Sequence, residues 1–138
     1  MSPNKKQKTM PAKTIISTDK APAAIGPYSQ ATTAGNMAFI SGCIGLVPGT
    51  KDFAEGGIEG QTRQVLENLK AVVEASGSKL ENVVKTTVLL DKDMSSYAAV
   101  NKIYTEFFPS DPPARAAFAV AALPAGALIE IDAIAIIE

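Results

Sequence analysis

The chain contains no histidine and only one cysteine, Cys43, among its 138 residues. Without imidazole, a Ser-His-Asp or Cys-His nucleophile system cannot be assembled within one chain. Zinc sites built on imidazole are excluded as well, and one thiolate does not make a zinc site. A lone cysteine has no internal disulfide partner, so a reducing, cytoplasmic setting is expected. No apolar run reaches the ~18 residues of a membrane span, and the N-terminus shows no secretory apolar core. The glycine-rich stretch GGIEG at 56–60 lacks the Lys-Ser/Thr of a phosphate loop. Carboxylates, arginine, tyrosine, amides and backbone groups remain for chemistry.

Charge is unevenly placed. Lys5, Lys6, Lys8 and Lys13 precede the first acid, Asp19, and without them nine basic residues face fourteen acidic ones. Such an acidic body argues against a nucleic-acid surface, because phosphate binding needs clustered cations. Residues 1–12 are expected to be a disordered basic tail, since Pro3 and Pro11 interrupt any helix. The NKKQK run also leaves a nuclear or mitochondrial address open. Residues 13–138 are then one domain.

Hydrophobic periodicity gives the order β β β α β α β β. KTIIST (13–18) predicts a short strand, and 31–34 with 37–42 predict a hairpin about Gly35-Asn36. The Gly- and Pro-rich stretch that follows is a loop. Val65, Leu66, Leu69, Val72 and Val73 form one helical face over about 59–76, with Gly77 as the left-handed stop. The β-branched run 83–90 predicts a buried strand. A second helix is expected over 96–107, with Ser95 as a candidate N-cap and prolines beyond it. Strands 113–120 and 128–137 close the chain. The expected fold is α+β, one mixed sheet with two helices on one face. Its other face is apolar enough to predict burial against other copies.

Arg115 is the most informative residue, a guanidinium in a strand of small apolar residues. Desolvating it is costly, so an anionic partner is required. Two readings stand level: a cross-strand ion pair with Glu130 or Asp132, or a bidentate site for a small carboxylate or phosphate ligand. Glu130 interrupts the apolar LIEIDAIAII. It is either an acid–base group raised by burial or a solvent-facing residue on an edge strand. Tyr28 in GPYSQA reads as packing with one satisfied hydroxyl, Asn101 as a helix-surface residue, and Cys43 as a small buried hydrophobe.

The segments IGPYSQA (25–31), FISGCIG (39–45), NVVKTTVLL (82–90), YAAVNKIYTEFFP (97–109), PPARAAFAVAALP (112–124) and IEIDAIAI (129–136) together resemble the reactive intermediate deaminase (RidA, YjgF-type) family. The resemblance runs from about Lys13 to the C-terminus and is closest to eukaryotic members. It implies a chorismate-mutase-like homotrimer with sites between subunits and no cofactor or metal. It also implies hydrolysis of 2-aminoacrylate and related 2-imino acids to 2-keto acids and ammonia. By the same resemblance Arg115 binds the substrate carboxylate and Glu130 is the active-site glutamate. Tyr28, Ser41, Gly42, Asn101 and the backbone at Ala117 complete the substrate site. Cys43 stands where many members carry Gln, and Ala116-Ala117 where many bacterial members carry Ser-Cys, which argues against a thiol mechanism. The rival readings are a non-catalytic metabolite-binding regulatory trimer, an RNA-cleaving protein and a holdase chaperone. The acidic body and absent histidine weigh against RNA chemistry.

Overall fold

Strand β1 (Thr14–Ile16), hairpin strands β2 (Ala31–Ala34) and β3 (Met37–Ile44), and helix α1 (Gly57–Ala75) open the fold. They are followed by β4 (Val83–Asp91), helix α2 (Tyr97–Phe107), β5 (Ala114–Val120) and β6 (Ile129–Ile136). The computed structural model describes residues 12–138. Most of the expected basic tail, residues 1–11, lies outside the described residues.

The strands make one six-stranded sheet in the order β1-β2-β3-β6-β4-β5. Only β4 and β5 pair in parallel; the other neighbours are antiparallel. Because β3 and β4 both run antiparallel to β6, they are parallel to each other. Two crossovers of one hand, β3-α1-β4 and β4-α2-β5, therefore put both helices on the same face. The expected mixed sheet with two helices on one face is the fold observed.

Alternation then sorts the residues. Ile129, Ile131, Ala133 and Ala135 of β6, with Thr86, Val88 and Leu90 of β4, are buried under the helices. The stripe Val65, Leu66, Leu69, Val72 and Val73 of α1 is buried against them. Each such aliphatic side chain contributes roughly 1.5–3 kcal/mol. On the other face, Phe39 aligns with Ile134, while Glu130 aligns with Leu89 and, one strand further, Phe118. Phe39 and Phe118 are 43% and 49% exposed, so this face is apolar and uncovered in the single chain.

The α1 stop forms as expected. Gly77 sits at φ +89°, its N–H donates to Glu74 O, and Ser78 N–H reaches back to Val73 O. These two bonds close the helix end and use carbonyls that would otherwise be unpaired. The start of α2 differs: its N-cap is Ser96, without a side-chain cap bond. Asp93 explains this, because its Oδ1 accepts from both the backbone N–H and the hydroxyl of Ser95. The strand read over 13–18 contracts to three residues, because Thr18 is drawn into a bond with Gln30. No helix among the described residues is long and apolar enough to cross a membrane.

Candidate functional site

Arg115 lies on β5, the last strand of the sheet, in register with Thr86 of β4. Thr86 faces the helices, and so does the Arg115 side chain. Tyr97, Asn101 and Tyr104 stand at i, i+4 and i+7 on α2 and share one helical stripe. Arg115 Nη1 donates to Asn101 Oδ1 at 2.9 Å and Nη2 to Tyr97 Oη at 2.8 Å. The guanidinium carbon lies 4.8 Å from the centroid of the Tyr104 ring, within cation–π range. Tyr104 is itself fixed, its hydroxyl 2.7 Å from Thr86 Oγ1.

Of the two level readings of Arg115, the cross-strand ion pair with Glu130 or Asp132 does not form. Strand β4 separates β5 from β6, and alternation puts both carboxylates on the opposite face of the sheet. The ion pairs among the described residues are Arg63–Glu106 and Lys79–Glu138. Arg115 is instead held by two neutral acceptors and an aromatic face. A guanidinium has five N–H donors, so three remain, and among the described residues no carboxylate pairs with its positive charge. That arrangement is ready for a small anion.

A second group assembles around a bulge in β3. Pairing with β6 slips between Ile40 and Cys43, which leaves Ser41 and Gly42 out of the ladder. Ser41 is tied to the preceding loop, its N–H donating to Gln30 O at 3.0 Å and its Oγ to Ser29 O at 2.6 Å. Glu130 lies over Gly42: a Cβ there would coincide with the carboxyl group. The edge-strand reading of Glu130 is overturned, since β6 is interior to the sheet and the side chain is half-buried. Burial, and secondarily the charge of Asp132, hold its carboxyl above the ordinary glutamate range.

Tyr28 is half-exposed and follows a tight turn in which its N–H donates to Gly26 O at 2.9 Å. Its hydroxyl accepts from the Ile25 N–H at 3.3 Å. Tyr28, Ser41, Gly42 and Cys43 line a largely apolar cleft of about 300 Å³ with Ile25 and Ala125. Burial pushes the Cys43 thiol up to about 12, aided by Glu130 and Asp132. The thiol therefore stays protonated and inert near neutral pH. Among the described residues, no group of three His, Cys, Asp or Glu is placed to hold a metal ion.

The structure thus gathers the residues named from the sequence into two sets. One is Tyr28, Ser41, Gly42 and Glu130; the other is Arg115 and Asn101, with Ala117 two residues further along β5. Arg115 and Glu130, one from each set, lie on opposite faces of the sheet. Sequence reasoning missed the hydroxyl of Tyr97 and the buried amide of Gln30. Gln30 donates to Thr18 O at 3.0 Å and Pro22 O at 2.8 Å and accepts from Thr18 N–H at 2.7 Å, which shapes the loop ahead of Tyr28.

Residues 18–137 match the family model described as endoribonuclease L-PSP. The chain belongs to this family, the RidA (YjgF-type) proteins. It is 50% identical over 123 residues to the chloroplastic Reactive Intermediate Deaminase A of Arabidopsis thaliana, covering 89% of this chain and 65% of that protein. It is 49% identical over 122 residues to the human 2-iminobutanoate/2-iminopropanoate deaminase, covering 88% of each. Among solved structures, RidA from the Antarctic bacterium Psychrobacter superposes with a TM-score of 0.86 at 47% identity, over 90% of this chain and 99% of that one. Escherichia coli TdcF with bound serine superposes at 0.85 and 38% identity, over 91% and 99%. The shared RidA fold agrees with the sheet order and helix placement described above.

Proposed function

We propose that this chain is a 2-iminobutanoate/2-iminopropanoate deaminase, hydrolysing 2-aminoacrylate and related 2-imino acids to 2-keto acids and ammonia. The observation that carries the reading is the Arg115 guanidinium, fixed by Asn101 and Tyr97 with no carboxylate beside it among the described residues. The printed activity of relatives that are about half identical supports the same chemistry. A bound serine in a structural relative fits an amino-acid-sized ligand.

Arg115 binds the substrate carboxylate, leaving the C=N carbon open to water. Imines hydrolyse unaided, so placing water and a proton donor beside that carbon suffices, and no covalent intermediate is needed. Glu130, its carboxyl raised by burial, protonates the enamine carbon to give the imine and then handles the protons of the attacking water. Tyr28, Ser41 and Gly42 form the wall on the Glu130 side, and backbone groups of the unpaired outer edge of β5 at Ala117 help position the water. Water adds to the C=N carbon, the C–N bond breaks, and nitrogen leaves as ammonia. The reaction needs neither oxidant nor cofactor.

Because Arg115 and Glu130 face opposite sides of the sheet, a site using both takes them from two copies. We infer a homotrimer with three such clefts, which would also cover the apolar face bearing Phe39 and Phe118. The single, unreactive thiol suits a reducing compartment such as the cytoplasm.

The test is to generate 2-aminoacrylate from serine with a pyridoxal-phosphate dehydratase and follow pyruvate release. The wild-type chain should accelerate release, and Arg115→Ala should return it to the no-protein rate with unchanged oligomeric mass. Wild type matching the blank would overturn the reading, and retained activity in the mutant would remove Arg115 from it.

A further inference from the structure

We propose that Tyr97 is a positioning residue for Arg115, its hydroxyl setting the plane in which the guanidinium meets a substrate carboxylate. The inference depends on the reading of Arg115 as the carboxylate anchor. A guanidinium held at one nitrogen can still swivel about that hydrogen bond. Asn101 holds Nη1 alone; Tyr97 holds Nη2. Anchors on two nitrogens, with the Tyr104 ring against one face at 4.8 Å, leave one orientation. Bidentate recognition rewards such a fixed fork, since a misaligned one delivers a single bond in place of two.

The two tyrosines of this stripe do different work. Tyr104 is buried and its hydroxyl is engaged with Thr86, so it belongs to the packing of α2 on the sheet. Tyr97 is 37% exposed at the start of the helix, and its ring centroid is 5.5 Å from the guanidinium carbon. Phenylalanine would keep that ring contact. What the oxygen adds among the described residues is the 2.8 Å bond to Arg115, and no hydrophobic packing calls for an oxygen there. The hydroxyl therefore acts on the guanidinium and, through it, on ligand affinity.

The consequence is a separation of kinetic effects. A carboxylate held equally in the ground and transition states contributes to KM and leaves kcat alone. Tyr97→Phe is expected to raise KM for 2-imino acids roughly fivefold, the ratio one hydrogen bond is worth. Affinity for the product 2-oxobutanoate, read by calorimetry, should weaken by the same ratio. The kcat should move by less than about twofold, and the melting temperature should stay that of wild type. Tyr97→Phe with wild-type KM and product affinity would overturn the proposal. So would a joint fall in kcat and melting temperature, which marks a merely structural role. A wild-type chain that neither accelerates pyruvate release nor binds 2-oxobutanoate would sink the deaminase reading and this inference with it. Wild-type turnover with an unaffected Tyr97→Phe sinks this inference alone.

Discussion

The Glu130 carboxyl occupies the space that a side chain at Gly42 would fill, so the two positions are mutually exclusive for anything larger than hydrogen. Glycine is required here by close approach and not by backbone angle, because Gly42 is absent from the positive-φ glycines.

Gly42→Ala should therefore act on catalysis before stability. The clash is with a side chain that can swing away, and swinging away takes the carboxyl from its place over the β3 bulge. A loss of kcat of about 100-fold is expected, at the low end of what a positioned acid–base group supplies, with little change in melting temperature. Gly45→Ala is the contrast: its Cβ would lie 2.9 Å from the Gln61 backbone oxygen. That backbone cannot step aside, so the cost should be about 1–3 kcal/mol of stability. Steady-state kinetics and thermal unfolding of both variants check the pair, and equal melting temperatures would refute the distinction.

The raised Glu130 carboxyl fixes the sign of a pH effect. Its ordinary value is 4.5 and its folded value is higher, through burial first and Asp132 second. Stability from its proton is thus fully present below 4.5 and is lost as pH rises through the folded value. Glu130→Gln should flatten that fall in melting temperature. Asp132→Asn should shift it to lower pH, because one cause of the raised value is gone. If protonated Glu130 is the acid, the catalysed rate falls over the same window. A melting temperature that rises there, and is flattened by Glu130→Gln, would reverse the assignment.

Cys43 should be slow to alkylate. Its thiol moves from an ordinary 9.0 to about 12. The thiolate fraction at pH 8 then drops by roughly three orders of magnitude, and the rate of modification follows it. Iodoacetamide labelling of native chain, against chain in denaturant, measures the ratio directly. Comparable rates would show that the thiol is not desolvated.

The parts of this fold carried by local periodicity were legible. The α1 stripe, the Gly77 stop and the β-branched run of β4 each report their own environment within a few residues. Strand order was not legible in that way, and two readings failed because of it. The Arg115–Glu130 pair presumed neighbouring strands, and the edge position of Glu130 presumed that the last strand lies outermost. Both depend on β6 inserting between β3 and β4, a relation among residues far apart in sequence, as in the pairing of Ile40 with Ala133. The β3 bulge left no signal beyond Gly42 itself. The Tyr97, Asn101, Tyr104 stripe was not legible, because spacing of this kind reads equally well as packing until an arginine is found against it. Family resemblance supplied the site residues that pattern alone left undecided.

The insertion of β6 has a consequence for biosynthesis. The strand that joins the β1-β2-β3 hairpin layer to the β4-β5 layer is the last of the described elements to leave a ribosome. Until it emerges, the nascent chain holds a group of three strands and a pair, with a vacant lane between them. Each side of that lane exposes unpaired backbone, the kind of edge that recruits foreign strands. Glu130 and the seam of the sheet arrive together. A ribosome product cut short before residue 129 thus lacks the glutamate and any means of closing its sheet, and quality control would meet it as an open template.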